Sequence, residues 1–206
     1  MPETPAEHPK LILASRSPRR AALLRDAGYV FDQADPPFDD PPAPNDTHGR
    51  PPQEEAAALA RRKAQSLRDA TTGHVVILAA DTICIGSQGG WIGTPADRDD
   101  ARRMIGSFVN ADHEVITGVA LIDGVGRAAS FADTATVRFG VLSDGQIEAY
   151  LDTGQWRDKA GGYNLFDRTG DDWPITVTGD PTTVVGLPMR RVTAELAKFG
   201  VRPEHT

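Results

Sequence analysis

The sequence predicts an α/β fold with a mixed β-sheet. Short apolar runs such as Leu11–Ala14 and Val75–Ala80 are typical of buried strands, while residues 53–70 are rich in the helix formers Ala, Leu, Glu, Arg and Lys. Strand-like and helix-like segments follow each other without strict alternation, which favours a mixed sheet. Two adjacent strand patterns, over residues 113–122 and 129–141, are expected to be antiparallel neighbours.

A strand, a tight turn and a helix are predicted at the start of the fold. Leu11–Ala14 forms the strand. Ser17 and Pro18 then start the helix, because a hydroxyl caps the first turn and proline fits its first position. Gly28 ends this helix. The other predicted elements are a long loop over 35–52, a helix over 53–70, a strand over 75–85 with a turn at 87–90 into Trp91 and Ile92, a helix over 97–109, a helix opened by a capping box at Ser143–Gln146, mostly loop over 159–187, and a helix over 188–199.

Composition limits the classes of function. The 206 residues suffice for one domain, taken as residues 1–206, and their net charge of −7 disfavours a general nucleic-acid binder. The polar, Pro-rich residues 1–9 are expected to be a disordered tail without a secretory signal, and no apolar run is long enough to cross a membrane. Cys84 is the single cysteine, so no internal disulfide is possible. We expect a cytoplasmic protein without nucleic-acid or membrane partners.

The turn after the first strand has the composition of an anion site. It runs Ser15-Arg-Ser-Pro-Arg-Arg20 in a chain that is acidic overall. A helix N-terminus presents unpaired backbone N–H groups and the positive end of the helix dipole, so Arg19 and Arg20 in the first turn oppose that dipole. Guanidinium groups bind phosphate oxygens in pairs, and a bound phosphate would offset the repulsion. Solvated arginines are the alternative, but the combined pattern favours phosphate binding.

A carboxylate interrupts the apolar strand over residues 75–85. Asp81 is costly to bury there unless it is paired or binds a cation, although a strand already exposed at that point would also accept it. Asp39 and Asp40 in the Pro-rich loop offer further carboxylates. An anion site with separated carboxylates is what metal-assisted phosphoryl chemistry needs, because cations neutralise the phosphates while a carboxylate positions water.

Six motifs resemble, in order and spacing, those of the Maf family of nucleoside triphosphate pyrophosphatases. They are SRSPRR, LARRKAQ, AADT, HEVITGVAL, DKAGGY and VVGLP, and together they cover nearly the whole chain. The resemblance implies a two-lobed α/β fold of the Maf and ITPase type, built around an extended mixed sheet with a central cleft. It also implies house-cleaning hydrolysis of a nucleoside triphosphate to a monophosphate and pyrophosphate with Mg²⁺ or Mn²⁺, by a protein that is often a homodimer.

The resemblance also implies roles for individual residues. It makes Asp81 the catalytic proton acceptor and, with Asp40, a metal ligand. Without the family pattern, Lys63 would be interpreted as an ordinary solvated helix lysine. Only that pattern places it in the cleft. Asp81 is then expected to orient or deprotonate the water that attacks the α-phosphorus. The implied substrate-binding residues are Ser15, Ser17, Arg19, Arg20, Lys63, Thr82 and Lys159.

Three positions depart from the family pattern. Thr94 stands where the family has lysine, Phe166 stands where one branch has glutamine, and Asp39-Asp40 replaces Asp-Glu. Phe166 could stack on a base or fill the core. Two of the substrate-binding residues match the branch that acts on dTTP and UTP, while residues 179–188 match the 7-methyl-GTP branch, so the preferred base stays open. The two residues that match the pyrimidine branch are Arg19 and Thr82.

Two other functions are compatible with the same motifs. A different phosphohydrolase, acting for example on a sugar phosphate, would use the same phosphate site without a base pocket. A nucleotide-binding protein that has lost catalysis would account for Thr94 and Phe166. Asp81 argues against the second alternative, because a scaffold without catalysis has no use for a carboxylate inside a strand. Pyrophosphate release from a nucleoside triphosphate distinguishes the pyrophosphatase from both alternatives.

Overall fold

The computed structural model describes residues 9–38, 50–165, 168 and 173–204 of the chain. Within these residues there are seven strands and six α-helices. The strands are β1 (Lys10–Ala14), β2 (Asp32–Ala34), β3 (Val75–Ile85), β4 (Trp91–Ile92), β5 (Asp112–Asp123), β6 (Ala128–Phe139) and β7 (Ile175–Thr178). The helices are α1 (Pro18–Asp26), α2 (Pro52–Asp69), α3 (Arg98–Phe108), α4 (Asp144–Asp152), α5 (Pro181–Val185) and α6 (Met189–Lys198), with a 3₁₀ helix at Ala160–Gly162.

The strands form one mixed sheet. Its order is β2-β1-β3-β5-β6-β7, and β4 pairs with the carboxyl end of β3. β1 is parallel to both of its neighbours, whereas β3, β5, β6 and β7 follow each other in antiparallel pairs. The predicted α/β class, the mixed sheet and the antiparallel pairing of β5 with β6 are therefore confirmed.

Three long strands, β3, β5 and β6, are shared by two lobes. At one end they pack with α1 and α6 in a core that contains Leu24 and Leu196. At the other end they pack with α3 and α4 in a second core that contains Ile105 and Tyr150. The middle of β3, where Asp81 interrupts the apolar run, thus lies between the two cores. This is the two-lobed arrangement that the family resemblance implies.

Helix α2 covers the opposite face of the sheet. Ala64 of α2 packs in one cluster with Ile77 of β3. The helix approaches β5 so closely that a Cβ atom on Gly118 would lie 2.1 Å from the Ala56 backbone. Only glycine permits this approach. The close approach lets the next turns of α2 cross β3, and this brings Lys63 above the middle of that strand.

Local sequence signals locate the helix ends well. The Ser17 side chain caps α1 by accepting a hydrogen bond from the Arg20 N–H, and Ser143 and Gln146 form the predicted capping box at α4. Helix α2 begins at Pro52, so the last residue of the predicted loop over 35–52 belongs to the helix. The boundaries of β3 and the turn into β4 are as predicted.

The prediction of mostly loop over residues 159–187 misses three short elements. That segment contains the 3₁₀ helix, β7 and α5. β7 adds an edge strand to β6, and α5 is capped by Asp180, whose side chain accepts from the Thr182 N–H. Each element is only three to five residues long, so periodicity could not reveal it. The three-residue strand β2 has no apolar run and is not predicted either.

Some predictions concern residues outside those that the structure describes. They are residues 1–8 of the expected tail, residues 39–49 of the Pro-rich loop with Asp39 and Asp40, and Phe166. In the described part of the chain, no helix is both long enough and apolar enough to cross a membrane.

Candidate active site

Side chains within the turn between β1 and α1 hold its backbone in place. The Ser15 hydroxyl accepts a hydrogen bond from the Ser17 N–H at 3.1 Å, and the Ser17 hydroxyl accepts one from the Arg20 N–H at 3.4 Å. From β2, the Gln33 amide donates to the Ser15 carbonyl at 2.7 Å. These bonds fix the backbone that leads into the N-terminus of α1, which is the end of a helix that attracts anions.

Arg20 connects α1 with the middle of the sheet. Its Nη1 donates to Ser15 Oγ at 3.2 Å and its Nη2 donates to Thr82 Oγ1 at 3.0 Å. Its Nε donates to the Gly186 carbonyl at 2.8 Å. Gly186 ends α5 with a φ of +107°, and a Cβ atom there would lie 3.0 Å from Arg20 Nε. Glycine therefore lets the end of α5 close on the guanidinium.

Lys63 of α2 and Asp81 of β3 form an ion pair. The Lys63 Nζ lies 2.6 Å from the Asp81 Oδ1, and the two side chains are 11% and 14% exposed. This burial excludes the alternative that the strand is simply open to solvent at Asp81. Pairing offsets the cost of burying each charge. The lysine that only the family pattern distinguished is thus the partner of the interrupting carboxylate.

A cleft of about 310 Å³ is lined by residues of both lobes. All the predicted substrate-binding residues line it, together with Asp81. The second predicted metal ligand, Asp40, lies outside the described residues. The structure thus brings the predicted side chains together, while their individual roles stay predictions. These cleft residues are Ser15, Ser17, Arg19, Arg20, Lys63, Asp81, Thr82 and Lys159.

The second lobe contributes the turn that carries Lys159. The Lys159 ammonium donates to the Gln155 carbonyl. The 3₁₀ helix that follows contains Gly161 and Gly162, both with a φ of +73°, a conformation that glycine adopts without strain. Thr94, which replaces the lysine of the family pattern, also lines the cleft. This position of the cleft therefore carries a neutral side chain.

A buried aromatic cluster lies beneath this turn. The His113 Nε2 and the Tyr163 hydroxyl are 2.7 Å apart, and the His113 ring stacks on Phe108 with centroids 4.0 Å apart. Burial lowers the pKa of His113 from 6.5 to about 4 and raises the pKa of Tyr163 well above 10. Burial also raises the pKa of the Cys84 thiol to about 12. All three side chains are therefore neutral near neutral pH.

Several other cleft residues are not predicted from the sequence. Tyr163 belongs to the DKAGGY motif, and Asp35 and Phe38 belong to the Pro-rich loop, but nothing in these segments shows that they face the phosphate site. The fold alone places them there, because the cleft draws on segments that are distant along the chain. The unpredicted residues include Asp35, Phe38, Cys84, Asp158, Tyr163 and Asn164.

Comparison with known proteins shows which family this arrangement belongs to. A family model described as Maf-like protein matches residues 10–199. The chain belongs to the Maf-like family. The match covers both lobes and every described residue of the cleft, so the resemblance carried by the six motifs is confirmed.

Three relatives of this Maf-like chain are named dTTP/UTP pyrophosphatase. The protein from Symbiobacterium thermophilum is 40% identical over 191 residues, which are 93% of this chain and 94% of the relative. The protein from Salinibacter ruber is 40% identical over 183 residues, 88% and 87% of the two chains. The protein from Halalkalibacterium halodurans is 41% identical over 192 residues, 92% and 96%. Among solved structures, a nucleoside-triphosphatase / dITP/XTP pyrophosphatase from Mycobacterium abscessus matches with a TM-score of 0.40 and 13% identity, over 65% of this chain and 75% of that chain.

The Maf-like cleft has the donors for a divalent cation that binds together with phosphates. Mg²⁺ in such sites is held by one or two carboxylates plus phosphate oxygens. Asp81 supplies a carboxylate to the cleft, beside a turn suited to phosphate. Within the described ranges, no three His, Cys, Asp or Glu side chains are grouped as a metal site. A cation bound here would take phosphate oxygens as ligands in addition to the Asp81 carboxylate.

Proposed function

We propose that this Maf-like chain hydrolyses a nucleoside triphosphate to the monophosphate and pyrophosphate. The observation that carries the proposal is the Lys63–Asp81 pair, with 2.6 Å between Nζ and Oδ1, in the same cleft as the Ser- and Arg-rich turn at the start of α1. A phosphate chain bound at that turn would lie beside a carboxylate that is able to act on water. The names of the three relatives support the same reaction.

The β1–α1 turn binds the triphosphate in this proposal. Ser15 and Ser17 hold the turn in shape, and the N-terminus of α1 directs backbone N–H groups and its dipole toward an anion. Arg19 and Arg20 add positive charge on one side of the cleft and Lys159 adds it on the other. This charge stabilises the pyrophosphate as it leaves, which lowers the barrier to cleavage.

Asp81 acts on the attacking water. Its carboxylate accepts the proton of the water that attacks the α-phosphorus, and the bond between the α-phosphorus and the α,β-bridging oxygen breaks. Lys63 holds this carboxylate at 2.6 Å and compensates its charge near the phosphates. The water oxygen ends on the nucleoside monophosphate, and pyrophosphate is the leaving group.

Mg²⁺ or Mn²⁺ is the proposed cofactor. Asp81 would hold the cation from β3, with Asp40 as the second protein ligand. When bound, the cation polarises the phosphoryl oxygens and compensates their charge. Chelation of divalent cations is therefore expected to abolish turnover.

The proposed substrates are the pyrimidine nucleotides dTTP and UTP. The three relatives with 40% or 41% identity carry these substrates in their names. Arg19 and Thr82, the two residues that match the pyrimidine branch, both line the cleft. The segment over 179–188, which matches the 7-methyl-GTP branch, contributes Val184 and Val185 to the same lining. A direct comparison of bases is therefore the informative assay.

The experiment measures pyrophosphate and orthophosphate separately from dTTP, UTP, CTP, GTP and 7-methyl-GTP, with Mg²⁺ or Mn²⁺, in ¹⁸O-labelled water. We expect pyrophosphate as the first product, fastest from dTTP and UTP, and the label in the monophosphate. A sugar phosphate serves as the control substrate and is expected to stay intact.

Three outcomes would contradict the proposal in different ways. Orthophosphate as the first product would place the attack at the γ-phosphorus. Hydrolysis of the sugar phosphate alone would favour the other phosphohydrolase. Nucleotide binding without any release of pyrophosphate would favour a binding protein that has lost catalysis, in line with Thr94 in place of a cleft lysine.

The cellular setting of the enzyme stays a prediction. We propose a cytoplasmic homodimer without nucleic-acid or membrane partners, which agrees with hydrolysis of free nucleotides. Sedimentation equilibrium tests the dimer directly, because a single species of monomer mass at micromolar concentration would contradict it.

A further inference from the structure

A chain of hydrogen bonds runs from Arg20 into the body of the protein. Arg20 Nη2 donates to Thr82 Oγ1 at 3.0 Å, and Thr82 Oγ1 lies 2.9 Å from Thr117 Oγ1 on β5. Thr117 Oγ1 donates to the Thr183 carbonyl of α5 at 2.8 Å. The Thr183 hydroxyl then donates to Asp133 Oδ2 on β6 at 2.6 Å. The chain thus links α1, β3, β5, α5 and β6 behind the cleft.

The number of protons fixes the direction of each bond. A threonine hydroxyl has one proton, and a carbonyl oxygen only accepts. Thr117 therefore gives its proton to the Thr183 carbonyl, so the 2.9 Å contact is a hydrogen bond only if Thr82 donates to Thr117. Thr82 accepts from Arg20 and donates to Thr117. The Thr82 hydroxyl proton is therefore directed away from the cleft, and the Thr82 oxygen accepts a hydrogen bond from the guanidinium.

Thr117 can influence a bound nucleotide only through its neighbours. It is fully buried, with 0% of its surface exposed, and it does not belong to the lining of the cleft. The Thr183 carbonyl that it contacts also accepts a hydrogen bond from the Gly186 N–H at 3.0 Å. The Gly186 carbonyl accepts from Arg20 Nε. Helix α5 and its end therefore hold the guanidinium both directly and through the two threonines.

We propose that Thr117 is a positioning residue which, through Thr82, sets the orientation of the Arg20 guanidinium toward the triphosphate. A guanidinium binds phosphate oxygens in pairs only when its plane is held in one orientation. Thr82 then contributes to substrate binding by holding Arg20, and it does not donate a hydrogen bond to the nucleotide. This inference rests on the proposed function, because it takes the triphosphate as the ligand of the cleft.

The decisive variant is Thr117→Val, which keeps the shape of the side chain and removes the hydroxyl. The Thr183 carbonyl keeps its bond from Gly186, so the fold is expected to survive. We expect the Kd of the non-hydrolysable α,β-methylene analogue of dTTP to rise about tenfold, because the support of a charged group is lost. The KM for dTTP should rise by the same factor, with kcat within about threefold of wild type.

Three further variants separate positioning from a purely structural role. Thr117→Ser keeps the hydroxyl and is expected to restore binding. Thr136→Val changes a half-buried threonine of β6 that is not part of the cleft lining, and it should leave binding unchanged. Thr82→Val should raise the Kd as Thr117→Val does. In the Thr82→Val background the Thr117→Val change should have no further effect, since Thr117 acts through Thr82.

Wild-type affinity in Thr117→Val would overturn the proposal. A double variant that binds the analogue more weakly than Thr82→Val alone would also overturn it. If Thr82 acted by donating its own hydroxyl proton to the nucleotide, Thr117→Val would leave that proton available, and binding would not weaken. Binding of the analogue is measured without turnover. A wild-type protein that binds the analogue but releases no pyrophosphate would refute the proposed function alone. A wild-type protein that does not bind it would overturn both.

Discussion

The cleft and the aromatic cluster beneath it treat their buried ionisable side chains in opposite ways. In the cleft, opposite charges come together, and Lys63 and Asp81 lie 2.6 Å apart. In the aromatic cluster, burial lowers the pKa of His113 to about 4 and raises the pKa of Tyr163, so both side chains are neutral near neutral pH. Both pairs are largely shielded from solvent, yet only the first carries charge.

This difference separates chemistry from support. Opposite charges beside a phosphate site can bind and polarise a substrate. A neutral pair with a short hydrogen bond, such as His113 with Tyr163, holds a turn in place without attracting ions. Variants of the charged pair should therefore change turnover, and variants of the neutral pair should change stability.

Of the changes at Lys63, His113 and Tyr163, the largest effect is expected for Lys63→Met. It removes the charge that holds Asp81 and leaves a similar length of apolar chain, so kcat/KM for dTTP should fall about a hundredfold. Arg62→Met is the matched control, because Arg62 is the preceding residue of α2 and is exposed. Steady-state kinetics on both variants measure the effect. Equal activity in the two variants would contradict the proposed division between the charged pair and the neutral cluster.

The second effect concerns the response of the neutral cluster to acid. A histidine in the unfolded chain has a pKa near 6.5, whereas His113 in the fold has a pKa of about 4, so acid protonates the unfolded chain first. The contribution of neutral His113 is complete above pH 6.5 and is lost as the pH falls toward 4, for a total of about 3 kcal/mol.

Urea unfolding at about pH 7.5 and about pH 4.5 measures this loss. The free energy of unfolding should fall more in wild type than in His113→Gln, by about 2–3 kcal/mol, because most of the total is already lost at about pH 4.5. His74→Gln, at an exposed position, should behave as wild type. Equal losses in wild type and His113→Gln would show that His113 is not the acid-sensitive group.

The smallest effect is expected for Tyr163→Phe. It removes the hydroxyl that pairs with His113 Nε2 at 2.7 Å and leaves a buried ring nitrogen without that partner. The free energy of unfolding should fall by about 1–2 kcal/mol. Turnover of dTTP should stay within about threefold of wild type, although Tyr163 lines the cleft. A loss of turnover as large as that of Lys63→Met would place the phenol in the chemistry.

Features that depend on neighbouring residues could be predicted from the sequence. Ser17 and Pro18 locate the start of α1, and Ser143 locates the start of α4, because the capping partners lie within three residues. The strands that surround the site were also predictable, since β3 and β5 are long and apolar enough to show their periodicity.

Contacts between distant segments could not be predicted in this way. Nothing around Asp81 identifies Lys63 as its partner, and only the resemblance to a family placed both in one cleft. The bond from Thr183 to Asp133 joins residues 50 positions apart, and it depends on α5, a helix too short to be recognised. The site is thus predictable where residue type carries the chemistry, and unpredictable where the fold supplies the support.

Asp81→Asn tests most directly whether the carboxylate activates the water. Asparagine keeps the shape of the side chain but does not accept the proton. We predict that pyrophosphate release from dTTP falls about a thousandfold while the α,β-methylene analogue still binds. Asp112→Asn, at an exposed aspartate of β5 that pairs with Arg138, should keep the wild-type rate. Release by Asp81→Asn within about tenfold of wild type would contradict the assignment of Asp81 as the proton acceptor.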